Sequence, residues 1–118
     1  MNTVDEALKE IELQKMVLEN LGITSKRMAK NEDVSFLIER VMNTCFMPSD
    51  FTIIYKFKYE NLVIGSSKLY VHDTGDYVVV IDIEKNNLPT EVIKQLLLLG
   101  YKPEGRSSNW LTYKRRVY

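Results

Sequence analysis

The sequence predicts an α+β fold: two N-terminal helices, then a mostly antiparallel sheet with a leucine-rich helix packed on one of its faces. Three observations carry this. Apolar residues recur at helical spacing in the first part of the chain, and from Phe51 the period changes to two. Tyr77 to Gly100 then join a strand that is apolar on both faces to a short helix rich in leucine. The 118 residues suit one domain, with 1–47 as its helical part and 51–118 as sheet plus helix.

In the first helix Thr3-x-x-Glu6 has the spacing of a capping box, and Asp5 places negative charge at the positive end of the dipole. Val4, Ala7, Leu8, Ile11, Leu18 and Leu21 form one stripe, which Leu13, Met16 and Val17 widen, and Gly22 is placed to end the helix. So broad an apolar face meets either two surfaces of its own fold or another chain, and burial within the monomer is the simpler reading. Thr24 to Lys30, with Lys26, Arg27 and Lys30 around Met28 and Ala29, reads as a solvated loop or helix start. Asn31 or Asp33 is positioned to cap a second helix lined by Val34, Leu37, Ile38, Val41 and Cys45 and flanked by Phe36 and Met42. In that stripe Cys45 reads as an inert buried thiol rather than a nucleophile. Pro48-Ser49-Asp50 ends the helical part.

Phe51, Ile53, Tyr55, Phe57 and Tyr59 alternate with Thr52, Ile54, Lys56 and Lys58, the pattern of a half-buried strand, and Glu60-Asn61 reads as a tight turn. The next strand has a phase problem. Leu62 and Ile64 are even-numbered whereas Leu69 and Val71 are odd, so a β-bulge or short break is predicted near Gly65-Ser66-Ser67. His72 to Asp76 turns the chain into the central strand, where Tyr77, Val79, Ile81 and Ile83 share one face and Val78 and Val80 lie on the other, before Asp82 and Glu84. Asn86 to Thr90 makes a turn with a proline at the helix start, and Gly100 is placed to end the helix in a left-handed conformation. Val92, Ile93, Leu96, Leu97 and Leu99 are expected to be buried, each contributing roughly 1.5–3 kcal/mol before entropy is subtracted. Tyr101-Lys102-Pro103 is expected to pair briefly, Glu104 to Ser108 to form a loop, and Asn109 to about Val117 to form the last strand.

Composition narrows function mainly by exclusion. Sixteen basic and sixteen acidic residues cancel, so no global field draws the chain to nucleic acid or anionic lipid. No apolar run is long enough to cross a membrane, and the N-terminus lacks the basic flank and apolar core of a secretory signal. With Cys45 as the only cysteine there is neither a disulfide framework nor a zinc cluster, and a reduced, cytoplasmic protein is the expectation. One histidine and scattered acids give no metal-ligand spacing, and no cofactor motif is present. His72 stands next to Asp73 with Asp76 close by, so a general base is chemically conceivable. A histidine among turn residues without a nucleophile or an oxyanion motif reads as structural.

The surface that stands out is the last strand. Leu111 and Tyr113 fall on one face, while Trp110, Thr112, Lys114, Arg116 and Tyr118 fall on the other. Arg115 lies beside them, Lys102 and Arg106 precede them, and Lys56 and Lys58 extend the basic character if they share the face. Those two lysines could equally pair with Asp82 and Glu84 across neighbouring strands. Aromatics among cations serve both as protein hot spots and as platforms for stacked bases, and basic residues also guard sheet edges. Glu10, Glu12 and Glu19 with Asp5 and Glu6 make the first helix acidic, which reads as a solvated face; it and the basic C-terminal segment could also attract one another in a homodimer, or steer different partners. The expected function is therefore a small non-enzymatic interaction protein that docks on a larger protein and modulates or inhibits it. The alternative is a nucleic-acid-binding module on the same residues, and a more distant one is an enzyme using His72.

Overall fold

A computed structural model describes residues 3–43, 50–72, 74–104 and 109–117. Nine elements follow in order: α1 (Thr3–Asn20), β1 (Thr24–Arg27), α2 (Asn31–Asn43), β2 (Phe51–Tyr59), β3 (Leu62–Val71), β4 (Tyr77–Glu84), α3 (Thr90–Leu98), β5 (Lys102–Pro103) and β6 (Trp110–Val117). The strands form one antiparallel sheet in the order β1-β2-β3-β4-β6-β5. The α+β class and its antiparallel sheet are as the sequence predicts. The order differs in one respect: Thr24–Arg27, expected to be a loop or helix start, is an edge strand between the two helices, paired with β2 from Thr24↔Lys58 to Arg27↔Tyr55. Only four residues long and almost wholly polar, it gives no hydrophobic period to read.

The helices end on glycine for a common reason. After α1, Gly22 takes φ +84°, its N–H bonds the carbonyl of Glu19, and the N–H of Ile23 bonds that of Leu18. After α3, Gly100 takes φ +96° and the same two bonds recur from Gly100 to Leu97 and from Tyr101 to Leu96. Each is a Schellman motif, closed by an apolar pair (Ile23 on Leu18, Tyr101 on Leu96) inside the core. At the start of α2, the Asp33 carboxylate accepts the Lys30 N–H at 2.6 Å, the returning half of a capping box. The Glu60-Asn61 hairpin has both residues at positive φ, as a two-residue turn with the twist of its strands requires.

The predicted bulge is present in β3, with a second in β2. Register passes from Phe57↔Gly65 to Lys58↔Val63, which leaves Ile64 as the extra residue, and from Ile53↔Lys68 to Tyr55↔Ser67, which leaves Ile54 extra. A bulge puts two consecutive side chains on one side. Ile54 therefore joins Tyr55 and Phe57 in the core, while Phe51 and Ile53 swing to the opposite face, where Phe51 meets Tyr70. The uninterrupted alternation read for Phe51 to Tyr59 is corrected accordingly. A Cβ at Gly65 would lie 1.9 Å from the carbonyl oxygen of Asp82, so close strand approach requires glycine there.

All three helices pack on one face of the sheet. Ala7, Ile11 and Leu18 of α1 and Leu96 of α3 share a core with Val79, Ile81, Ile83 and Leu111, and α2 adds Leu37 and Val41 against Val71. The helix α3 does not carry the burial its composition suggests. Leu96 is fully enclosed and Val92 and Ile93 are partly so, but Leu97 and Leu99 are exposed and Leu98 is 80% accessible. Nine residues at the periphery of the sheet can offer the core only one stripe. The wide face of α1 is likewise not all internal, since Leu13 and Met16 are exposed. Cys45 and Pro48-Ser49 lie outside the described residues.

Candidate functional site

Cross-strand register defines the face opposite the helices. One transverse row reads Lys26 (β1), Lys56 (β2), Ser66 (β3), Asp82 (β4), Thr112 (β6) and Lys102 (β5). The next reads Ile53, Lys68, Val80 and Lys114, and a third Phe51, Tyr70, Val78 and Arg116. Trp110 stands opposite Glu84 at the other end of β6. No described helix lies on this face; Val80, only 8% accessible, belongs to neither core and is screened by its neighbours' side chains. The second apolar face of β4 is thus the floor of a surface that no described helix covers.

That floor is concave. Val78, Val80 and Thr112, with Tyr70, His72, Lys114 and Arg116 around them, line a shallow basin of about 640 Å³. A second hollow of about 420 Å³, with Trp110, Lys68 and Ser66 on its walls, shares Asp82, Glu104 and Thr112 with the first. Trp110 is 39% accessible and overlooks this second hollow. The polar groups are ordered by contacts. Asp82 accepts the Thr112 hydroxyl at 2.6 Å on one oxygen and faces Lys68 Nζ at 3.8 Å with the other. Lys114 pairs with Glu104 at 3.1 Å and Arg116 with Asp76 at 3.7 Å. Burial beside the Asp82 carboxylate holds the Tyr70 phenol above its ordinary pKa, so it stays a neutral hydrogen-bonding group across the physiological range.

Trp110, Lys114 and Arg116 therefore come together as expected, and Lys56 and Lys58 share their face. Three expectations are corrected. Arg115 is not part of this surface. Alternation along β6 sends it to the helix side with Leu111 and Tyr113, where it meets Glu10 of α1 at 2.7 Å. Lys56 and Lys58 do not pair with Asp82 and Glu84, because β3 separates β2 from β4. Glu10, read as part of a solvated acidic face, is only 6% accessible and also accepts hydrogen bonds from the Tyr113 hydroxyl and from Gln14. Arg106 and Tyr118 lie outside the described residues, as does Asp73 beside His72.

Sequence reasoning missed Tyr70 and Lys68 as parts of the surface, and it placed Lys26 in a loop or helix start. The signal for Tyr70 and Lys68 lay in the phase break at Gly65, which fixes their face once the bulge is located. No group of three or more potential metal ligands occurs among the described residues, and none of their helices is long and apolar enough to cross a membrane. Comparison with protein-family models, curated proteins and solved structures finds no match.

Proposed function

We propose that the chain is a small non-enzymatic interaction protein that acts in the cytoplasm by docking the open sheet face onto a larger protein and modulating it. The observation that carries this reading is Trp110, part-exposed at the end of a concave face whose floor is valine and whose bordering cations Lys68, Lys114 and Arg116 are paired with acids. Lys68, Lys114 and Arg116 each have an acidic neighbour, so this half of the face has little net charge to offer a phosphate backbone. An apolar floor, an indole and rim ion pairs able to exchange partners match the anatomy of a protein interface.

The test is recovery of a partner from the native host with the wild-type chain and with a Trp110→Ala, Arg116→Ala double variant. Loss of the partner in the variant supports the reading, and retention of every partner sinks this surface. Titration with single- and double-stranded DNA and RNA at low salt checks the competing reading. Tight, salt-sensitive binding that Trp110→Ala weakens would move the assignment to nucleic acid.

A further inference from the structure

The open face is divided electrically, and the strands of its other half, β1 and β2, contain no acid. Lys26 and Lys56 are direct cross-strand partners on it, and Lys58 stands two residues along β2. None of the three has an ion-pair partner among the described residues. Like charges placed directly opposite on adjacent strands destabilise a sheet. Edge protection accounts for a lysine on β1, but β2 is flanked on both sides, by β1 and β3, so Lys56 and Lys58 guard no edge.

We propose that Lys26, Lys56 and Lys58 form an anion-recognition spot that receives a carboxylate-rich segment of a protein partner. This deepens the docking reading above and rests on it. A protein acid is favoured over a nucleic acid because a carboxylate cuts the three lysines off from Lys102, the other unpaired cation of their row among the described residues. Along the same row the next side chains are Ser66 and then Asp82, so a phosphate chain crossing the face from the lysines would run onto a carboxylate. Three lysines within one cross-strand pair and its neighbour suit two or three acidic side chains, not a long polyanion. A second copy of this chain is disfavoured as occupant, since on its own open face Asp82, Glu104 and Asp76 already hold cations and Glu84 is engaged by the Asn86 side-chain amide.

The probe is a synthetic nonapeptide of alternating glutamate and serine, with a glutamine-serine control and a single-stranded oligothymidine of equal charge. Binding is followed by amide shifts in a ¹⁵N-labelled sample and by anisotropy. The expected result is glutamate-peptide binding at low salt with shifts concentrated at 24–27 and 55–59, at least tenfold weaker in Lys56→Glu, Lys58→Glu. That variant should melt at a higher temperature than wild type, because it removes the like-charge opposition to Lys26; the neutral Lys56→Gln, Lys58→Gln variant checks the binding loss without new charge. Absent peptide binding, binding undiminished in both variants, shifts elsewhere, or tighter binding of the oligonucleotide would each overturn the proposal. Partner recovery separates the two claims. Loss with Trp110→Ala but not with either lysine variant removes the lysine spot and leaves the docking face standing, whereas retention with Trp110→Ala removes the docking face itself.

Discussion

Glu10 shows how one buried carboxylate can organise two layers. It sits on the inner side of α1, receives the Tyr113 hydroxyl and the Arg115 guanidinium from β6, and accepts from Gln14, whose own oxygen accepts the Tyr101 hydroxyl at 3.1 Å. Removing Glu10 leaves buried polar groups without partners, whereas removing Arg115 breaks an ion pair whose cation is largely exposed. Glu10→Ala should therefore lower stability by about 1.5–3 kcal/mol in urea unfolding. Arg115→Ala leaves the Glu10 carboxylate its hydrogen bonds from Tyr113 and Gln14 and should cost less than Glu10→Ala. Comparable losses would mean that the ion pair, not the buried network, is what matters. The same network fixes a pH dependence. Burial first, then the hydrogen bond to Glu10, pushes the Tyr113 phenol up to about 12, and burial raises Tyr101 in the same direction. Their protons are held more tightly in the folded chain than in the unfolded one, so the contribution is fully present below the ordinary tyrosine value of 10.0 and is lost as pH rises toward about 12. Urea melts at stepped pH should show this alkaline loss in wild type and a shallower one in Tyr113→Phe; identical slopes would refute the assignment.

At the scale of elements, burial separates residues that composition treats alike. Within α3, Leu96→Ala removes a fully enclosed side chain and should destabilise by about 2–5 kcal/mol. Leu98→Ala, two residues away and facing solvent, should change stability by less than about 0.5 kcal/mol. Equal effects in thermal melts would show that α3 packs differently. In β3 the bulge depends on close backbone approach at Gly65, and Gly65→Ala forces a Cβ against the Asp82 carbonyl. The expected loss is about 1–3 kcal/mol or more. Because Asp82 also holds Thr112 and Lys68, amide shifts should spread along β4 and β6 rather than stay within β3.

For the whole molecule, the consequence of putting every described helix on one side is a sheet with one face packed by helices and one face that no described helix covers. The acidic first helix and basic last strand, complementary in sequence, satisfy each other within the chain through Glu10 and Arg115, so this attraction is no argument for a homodimer. On the open face the only tryptophan reports on docking directly. Free protein should show Trp110 emission that acrylamide quenches readily, and bound protein a blue shift with protection from quenching. An unchanged spectrum at saturating partner would place the interface elsewhere.

Local signals were strong where the physics is local. Period-two alternation and helical stripes identified α1, α2, β2 to β4, α3 and β6, the glycine stops follow from backbone conformation, and the parity conflict between Ile64 and Leu69 announced the bulge beside Gly65. Alternation also sorted β6, placing Trp110, Lys114 and Arg116 opposite Leu111 and Tyr113. What the residues could not specify was which strands become neighbours and where the helices lie, because both depend on contacts between segments distant along the chain. Strand order separated Lys56 from Asp82, joined Lys26 to Lys56 and made a strand of a polar stretch without any period. Helix placement buried Glu10 and left Val78 and Val80 on the face without a described helix, where only the side chains of neighbouring strands screen them.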